Sequence, residues 1–167
     1  MYFDDPLTLY RLMFKRIVAE SLPLRVNNSS PDHAAVLIDE LIRSAKDSVV
    51  IYCRALTADV WGRPNVVSAI LRAMNARVRF RIVTQQRPEN TESFRLLDQY
   101  ERAEFRLYAQ EGLDMNFMLV DGKRFRVEPD SNKRHGYAYA NNPDEASCRA
   151  LEFENIWYLA SRLKPVA

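Results

Sequence analysis

Residues 116–127 read Asn116-Phe117-Met118-Leu119-Val120-Asp121-Gly122-Lys123-Arg124-Phe125-Arg126-Val127. Two β-prone runs flank an Asp-Gly pair, the residue types that accept the positive φ angles of a tight hairpin turn. The stretch therefore predicts a β-hairpin. Upstream, Val49-Val50-Ile51-Tyr52 ends at Cys53. Such a short apolar run suits a strand buried on both faces, as in a parallel sheet. The segment Arg77-Val78-Arg79-Phe80-Arg81-Ile82-Val83 alternates and reads as a strand with one polar face. Phe105-Arg106-Leu107-Tyr108 adds another, and Gly136-Tyr137-Ala138-Tyr139-Ala140 a last one.

Helical patterns separate these runs. Asp4-Asp5-Pro6 is a capping start for a first helix carrying Leu7, Tyr10, Phe14, Ile17 and Val18, which stops before Pro23. Residues 24–30 read as a polar link. Ser30-Pro31 opens a second helix with Ala34, Leu37, Ile38, Leu41, Ile42 and Ala45 on one face. A loop with Gly62 and Pro64 precedes a third helix, and Phe94, Leu97 and Tyr100 mark a fourth. Residues 129–136 read as a polar loop. Asn142-Pro143 caps a closing helix with Phe153 and Trp157. Strands alternating with helices imply an α/β fold with parallel strands and helices on the faces.

Composition agrees with one globular domain. The 167 residues are 47% hydrophobic and 28% charged, which excludes a disordered chain. Net charge is +2, too balanced to announce nucleic acid by itself. No apolar run approaches the roughly 20 residues of a membrane-spanning helix, and Met1 to Arg11 has no apolar core of a signal peptide. Cys53 and Cys148, with no CxxC, read as buried thiols in a reducing, cytoplasmic setting. Neither His33 nor His135 has a second ligand at zinc spacing. No metal or other cofactor is expected.

The element order, the hairpin Phe-Met-Leu-Val-Asp-Gly-Lys-Arg and the closing Leu-Glu-Phe-Glu-Asn-Ile-Trp resemble one half of a phospholipase D-like protein over roughly residues 31–163. Tyr52-Cys53-Arg54 and Trp157 also resemble a group of bacterial phospholipase D-like domains in which the first strand ends in Tyr-x-Arg and the last helix in Trp. The resemblance implies a phospholipase D-like half with a mixed sheet flanked by helices. It divides the chain into an N-terminal helical extension, residues 1–26, and the domain, residues 27–167. In that family the strand before the Asp-Gly turn carries HxKxxxxD. Here the motif reads Asp114-Met-Asn116-Phe-Met-Leu-Val-Asp121. Its Asp is kept, its His is Asp114 and its Lys is Asn116. The family's Gly-Ser-x-Asn is replaced by Glu128-Pro129-Asp130-Ser131.

The family's His attacks phosphorus, so the reaction needs an activated nucleophile and positive clamps on the phosphoryl oxygens. Asp114 would repel an anionic diester, and Asn116 carries no charge. The expected function is therefore a catalytically inactive binding or assembly module. The alternatives are a phosphodiesterase or nuclease with relocated groups, His135 being the candidate, and a nucleic-acid-binding protein. Arg54, Asp114, Asn116, Asp121 and His135 form the candidate vestigial or ligand site. Asp121 also has a purely structural reading as the turn residue. Arg77, Arg79 and Arg81 are candidate phosphate contacts. Two family halves share one cleft, which implies a closed homodimer, with Tyr10, Phe14, Tyr137 and Tyr139 as its candidate contacts. A protein partner and nucleic acid are the other binding classes considered; a membrane is not.

Overall fold

In the computed structural model, which describes residues 5–109 and 114–162, Asp121 and Gly122 both take positive φ, 53° and 68°. The Lys123 N–H returns to the Val120 carbonyl at 3.0 Å. This is the predicted hairpin, joining β5 (Asn116–Val120) to β6 (Arg124–Asp130). Around it stand β1 (Val26–Asn28), β2 (Ser48–Cys53), β3 (Arg79–Thr84), β4 (Ala103–Leu107), β7 (His135–Tyr139) and β8 (Ser161–Arg162). They form one sheet in the order β1-β7-β6-β5-β2-β3-β4-β8. The β2–β3 and β3–β4 pairs are parallel and the others antiparallel. The fold is thus a mixed-sheet α/β fold, as expected.

Five helices cover one face: α1 (Pro6–Glu20), α2 (Pro31–Arg43), α3 (Ala58–Trp61), α4 (Pro64–Asn75) and α5 (Glu92–Gln99). They pack on Val49, Ile51, Phe80, Ile82, Met118 and Val120. The opposite face, built from Val50, Tyr52, Phe117, Leu119, Phe125 and Val127, is covered by α6 (Pro143–Leu159) through Phe153, Ile156 and Trp157. β2 is buried along its whole apolar run because helices lie on both sides of it. Capping follows the sequence. Ser30 Oγ accepts the His33 N–H at 3.2 Å, and Asn142 Oδ1 accepts the Glu145 N–H at 3.3 Å.

Several expectations are corrected. The polar link at 24–30 contains β1, which pairs antiparallel with β7 and begins the sheet. The polar loop at 129–136 shrinks to a turn at 131–134, because β6 runs to Asp130 and β7 starts at His135. The loop before Pro64 holds the short α3. Arg77 lies outside β3, with φ 64°. Cys148 is exposed, and only Cys53 is buried.

The N-terminal helix packs into the helical face. Phe14 and Ile17 are buried, and Arg11 pairs with the buried Asp39 and Glu40 of α2. The Tyr10 hydroxyl donates to the Asn27 carbonyl at 2.9 Å, and burial pushes its pKa up to about 12. Phe14 is fully buried, and Tyr137 is covered by the Arg25 guanidinium at 3.9 Å. These side chains are spent on contacts within the chain and so do not form the apolar dimer surface expected of them. Asp4 and residues 163–167 lie outside the described residues.

Candidate functional site

Side chains alternate across a sheet, so one row of residues at one end of the sheet faces the α2 layer. The pairings place it: Asn28 is opposite Gly136, Arg126 opposite Ala138 and Met118, and Asn116 opposite Glu128. Above this row, between the loop after β2 and the N-terminal end of α2, lies a cleft of about 150 Å³. Its polar lining includes Asn28, Arg54, Asp59, Asn116, Arg126, Glu128 and Arg134, and its apolar lining Ile38, Leu56, Trp61 and Met118. It opens beyond the carboxyl end of β2, where open α/β sheets hold their ligands.

Arg126 is the deepest charge. It is 6% exposed, and its Nε donates to Asn28 Oδ1 at 3.2 Å and its Nη2 to Glu128 Oε2 at 3.0 Å. Burial depresses its pKa, with Glu128 opposing the shift; an arginine remains charged even so. Gly136 makes this arrangement fit. A Cβ there would stand 2.9 Å from both Asn28 Oδ1 and the Val127 carbonyl oxygen, and 3.1 Å from Arg126 Nη2. Arg134 reaches across to Asp59 Oδ2 at 3.0 Å, tying the 131–134 turn to α3. Leu56 and Arg134, both lining the cleft, hold positive φ of 51° and 55°. Such non-glycine strain gathers at functional sites. The Cys53 thiol, also in the wall, is pushed up to about 12 by burial and is not a poised nucleophile.

Two amide atoms at this cleft have no partner. They are Asn28 Nδ2 and Asn116 Oδ1. Arg126 Nε donates to Asn28 Oδ1, so the other Asn28 atom is the NH₂ and faces no acceptor. Buried polar atoms without partners are rare and call for an explanation.

The expected site residues divide. Arg54 and Asn116 line the cleft. Arg54 is exposed and makes no ion pair among the described residues. Asp114 is exposed outside the lining, its carbonyl accepting the Ser131 N–H at 2.6 Å. His135 is exposed at the start of β7 and does not line the cleft. Nor does His33, whose Nδ1 meets Ser30 Oγ at 3.0 Å. Asp121 stands at the far end of β5. Its Oδ1 accepts the N–H of Asp47 at 2.8 Å and of Ser48 at 2.9 Å. Its Oδ2 accepts Lys46 N–H at 3.0 Å and Arg124 Nη2 at 2.7 Å. Burial alone would raise this carboxyl, but the backbone N–H donors and Arg124 outweigh it and hold the pKa below the usual aspartate value.

The three arginines do not form one open face. Arg77 pairs with Glu101 at 2.5 Å. Arg81 donates two bonds to Glu154 of α6, at 3.1 and 2.6 Å, and lies 5.2 Å from the Phe153 ring centroid. Of these three, only Arg79 is exposed without a partner in an ion pair among the described residues. Arg126, Asn28 and Glu128 were not singled out as site residues from the sequence. The available signal was the charged residue between Phe125 and Val127, which an alternating strand must turn toward the helical layer.

A family profile described as Domain of unknown function (DUF7931) matches residues 30–165. The chain belongs to this family. No curated protein matches this DUF7931 chain. Among solved structures, it is similar to Nuc from Salmonella typhimurium, a phospholipase D family member, at TM-score 0.65 and 17% identity. That alignment covers 86% of this chain and 99% of that one. NucT from Helicobacter pylori gives 0.63 and 12%, covering 84% and 100%. TrmBL2, an archaeal chromatin protein with a novel mode of DNA binding, gives 0.62 and 10%, covering 93% and 62%. The DUF7931 chain therefore has a phospholipase D-like fold.

No helix among the described residues is long and apolar enough to cross a membrane. No group of three or more His, Cys, Asp or Glu there could hold a metal ion.

Proposed function

We propose that this chain is a binding module that keeps the phospholipase D-like cleft and has given up phosphohistidine chemistry. The observation that carries the reading is Asn116. By the motif spacing it stands where the family has its Lys; it lines the cleft, and its amide oxygen is buried without a hydrogen-bond partner. Asp114, in the His position, and both histidines lie outside the described lining. A site without an imidazole lacks the nucleophile the covalent route needs. The hydrogen-bonding groups that remain suit holding a ligand.

The test is incubation with a chromogenic phosphodiester and with single- and double-stranded DNA, with and without a chelator. The likeness to a chromatin protein is the reason to include DNA. No turnover is expected. Turnover that survives chelation and vanishes in His135→Ala overturns the proposal in favour of relocated catalysis. Self-association into a twofold pair is the second part of this reading, and sedimentation equilibrium at micromolar concentration tests it. A monomer there removes it.

A further inference from the structure

We infer that the cleft takes an amino-acid-sized carboxylic acid carrying one amide, the chemistry of an N-acyl amino acid with an apolar side chain. This rests on the reading of the cleft as a binding site. Charge argues first. Five charged residues line the cleft, and four are paired with each other: Arg126 with Glu128, and Arg134 with Asp59. Arg54 is the single surplus cation among them. A phosphodiester site would need several cations converging on one group, and here the deep charge is already balanced by a carboxylate. One unpaired guanidinium suits one carboxylate, which it can bind through two parallel bonds.

The unpartnered amide atoms argue next. Asn28 is 5% exposed, and its Nδ2 donor and the Asn116 Oδ1 acceptor are both buried and unpartnered, so a ligand engages them by turning the two side-chain amides toward it. A ligand that supplies an acceptor to the first and a donor to the second carries both on one group. A secondary amide does so through its C=O and N–H. Ile38, Leu56, Trp61 and Met118 supply an apolar wall for the rest of the molecule. Size argues last. The cleft measures about 150 Å³, below the roughly 300–1,000 Å³ of ordinary small-molecule pockets. The ligand is compact.

The probes are N-acetyl-L-leucine, its methyl ester, its N-methyl derivative and dimethyl phosphate, each titrated into the full chain by calorimetry or by amide NMR shifts. The acid is expected to bind. Esterification and N-methylation are each expected to weaken it by more than about tenfold, the loss of one good polar contact. Arg54→Ala should weaken the acid by the same factor as esterification, and should not weaken the ester further. Arg54→Lys should recover part of the loss. These ligand-side controls leave the protein unaltered, so a folding defect cannot imitate them. The inference fails if the acid does not bind at millimolar concentration, if the ester binds as well as the acid, or if dimethyl phosphate binds more tightly. Tight dimethyl phosphate without turnover overturns the ligand class and leaves the binding module standing. Diester turnover overturns the module itself.

Discussion

Strand β5 begins at Asn116 and ends just before Asp121. Their surroundings are opposite. At the Asp121 end three backbone N–H groups and one guanidinium converge on a single carboxylate. At the Asn116 end a buried amide oxygen has no partner, and Asn28 Nδ2 along the same cleft has none either. A saturated end stabilises the fold. An unsaturated end stores an unmet interaction, and a buried polar group left without its partner costs about 1–3 kcal/mol. Asp121 thus ties the loop after α2 and the start of β2 to the hairpin, and Asn116 borders the cleft.

If that contrast holds, the largest stability effect belongs to Asp121. Asp121→Ala removes the acceptor for Lys46, Asp47 and Ser48 and leaves Arg124 only its bonds to Ser44, and should destabilise by about 3 kcal/mol in urea unfolding. The same carboxyl sets a pH dependence. Its folded pKa lies below the ordinary value of about 3.9. A depressed carboxyl contributes stability that is fully present above the unfolded pKa and is lost as pH falls through the folded one. The stability difference between wild type and Asp121→Asn should therefore be flat at neutral pH and shrink below about pH 4. A difference that grows on acidification would show that the folded state prefers the protonated Asp121 carboxyl, the opposite of a depressed pKa.

Gly136 should come next. Its missing Cβ is what lets Arg126 and Asn28 meet, and one of the atoms a methyl would strike is the backbone oxygen of Val127, which has little freedom to move. Gly136→Ala should destabilise by about 2 kcal/mol, the usual effect of overpacking. It should also disturb the NMR signals of the Asn28 and Asn116 side-chain amides. A neutral substitution would show that the Arg126 row is loosely held and that the cleft is less preformed than its geometry indicates.

The parts legible in the sequence were those set by local chemistry. Asp121-Gly122 dictated its own turn, the apolar run 49–52 dictated a doubly covered strand, and Ser30-Pro31 and Asn142-Pro143 dictated helix starts. β1 was not legible because Val26-Asn27-Asn28 has no strand pattern of its own; its place comes from pairing with residues more than a hundred positions away. The cleft lining was half legible for the same reason. Arg54 and Asn116 follow from strand ends and motif spacing, whereas Asn28 and Arg126 meet only through the β1–β7–β6 pairing. Arg77 and Arg81 looked like a shared basic face, but Glu101 and Glu154, the partners that engage them, come from other elements.

The smallest expected change in stability is the most discriminating one. Asn116→Leu keeps the branching of the side chain at Cγ and removes the unpartnered amide oxygen. If Asn116 served the fold, the loss would cost stability as at Asp121. Its acceptor has no partner in the folded chain, so its removal should instead leave stability unchanged or raise it by up to about 1 kcal/mol. Leucine in a cleft that Ile38, Leu56 and Met118 also line needs no hydrogen bond. Ligand binding should fall in the same variant. Raised stability with lost binding is the signature of a residue retained for its ligand. Urea unfolding of wild type and variant, run beside a titration of each, reads both quantities. A loss of more than about 1 kcal/mol would place Asn116 with Asp121 as a structural residue and dissolve the contrast between the two ends of β5.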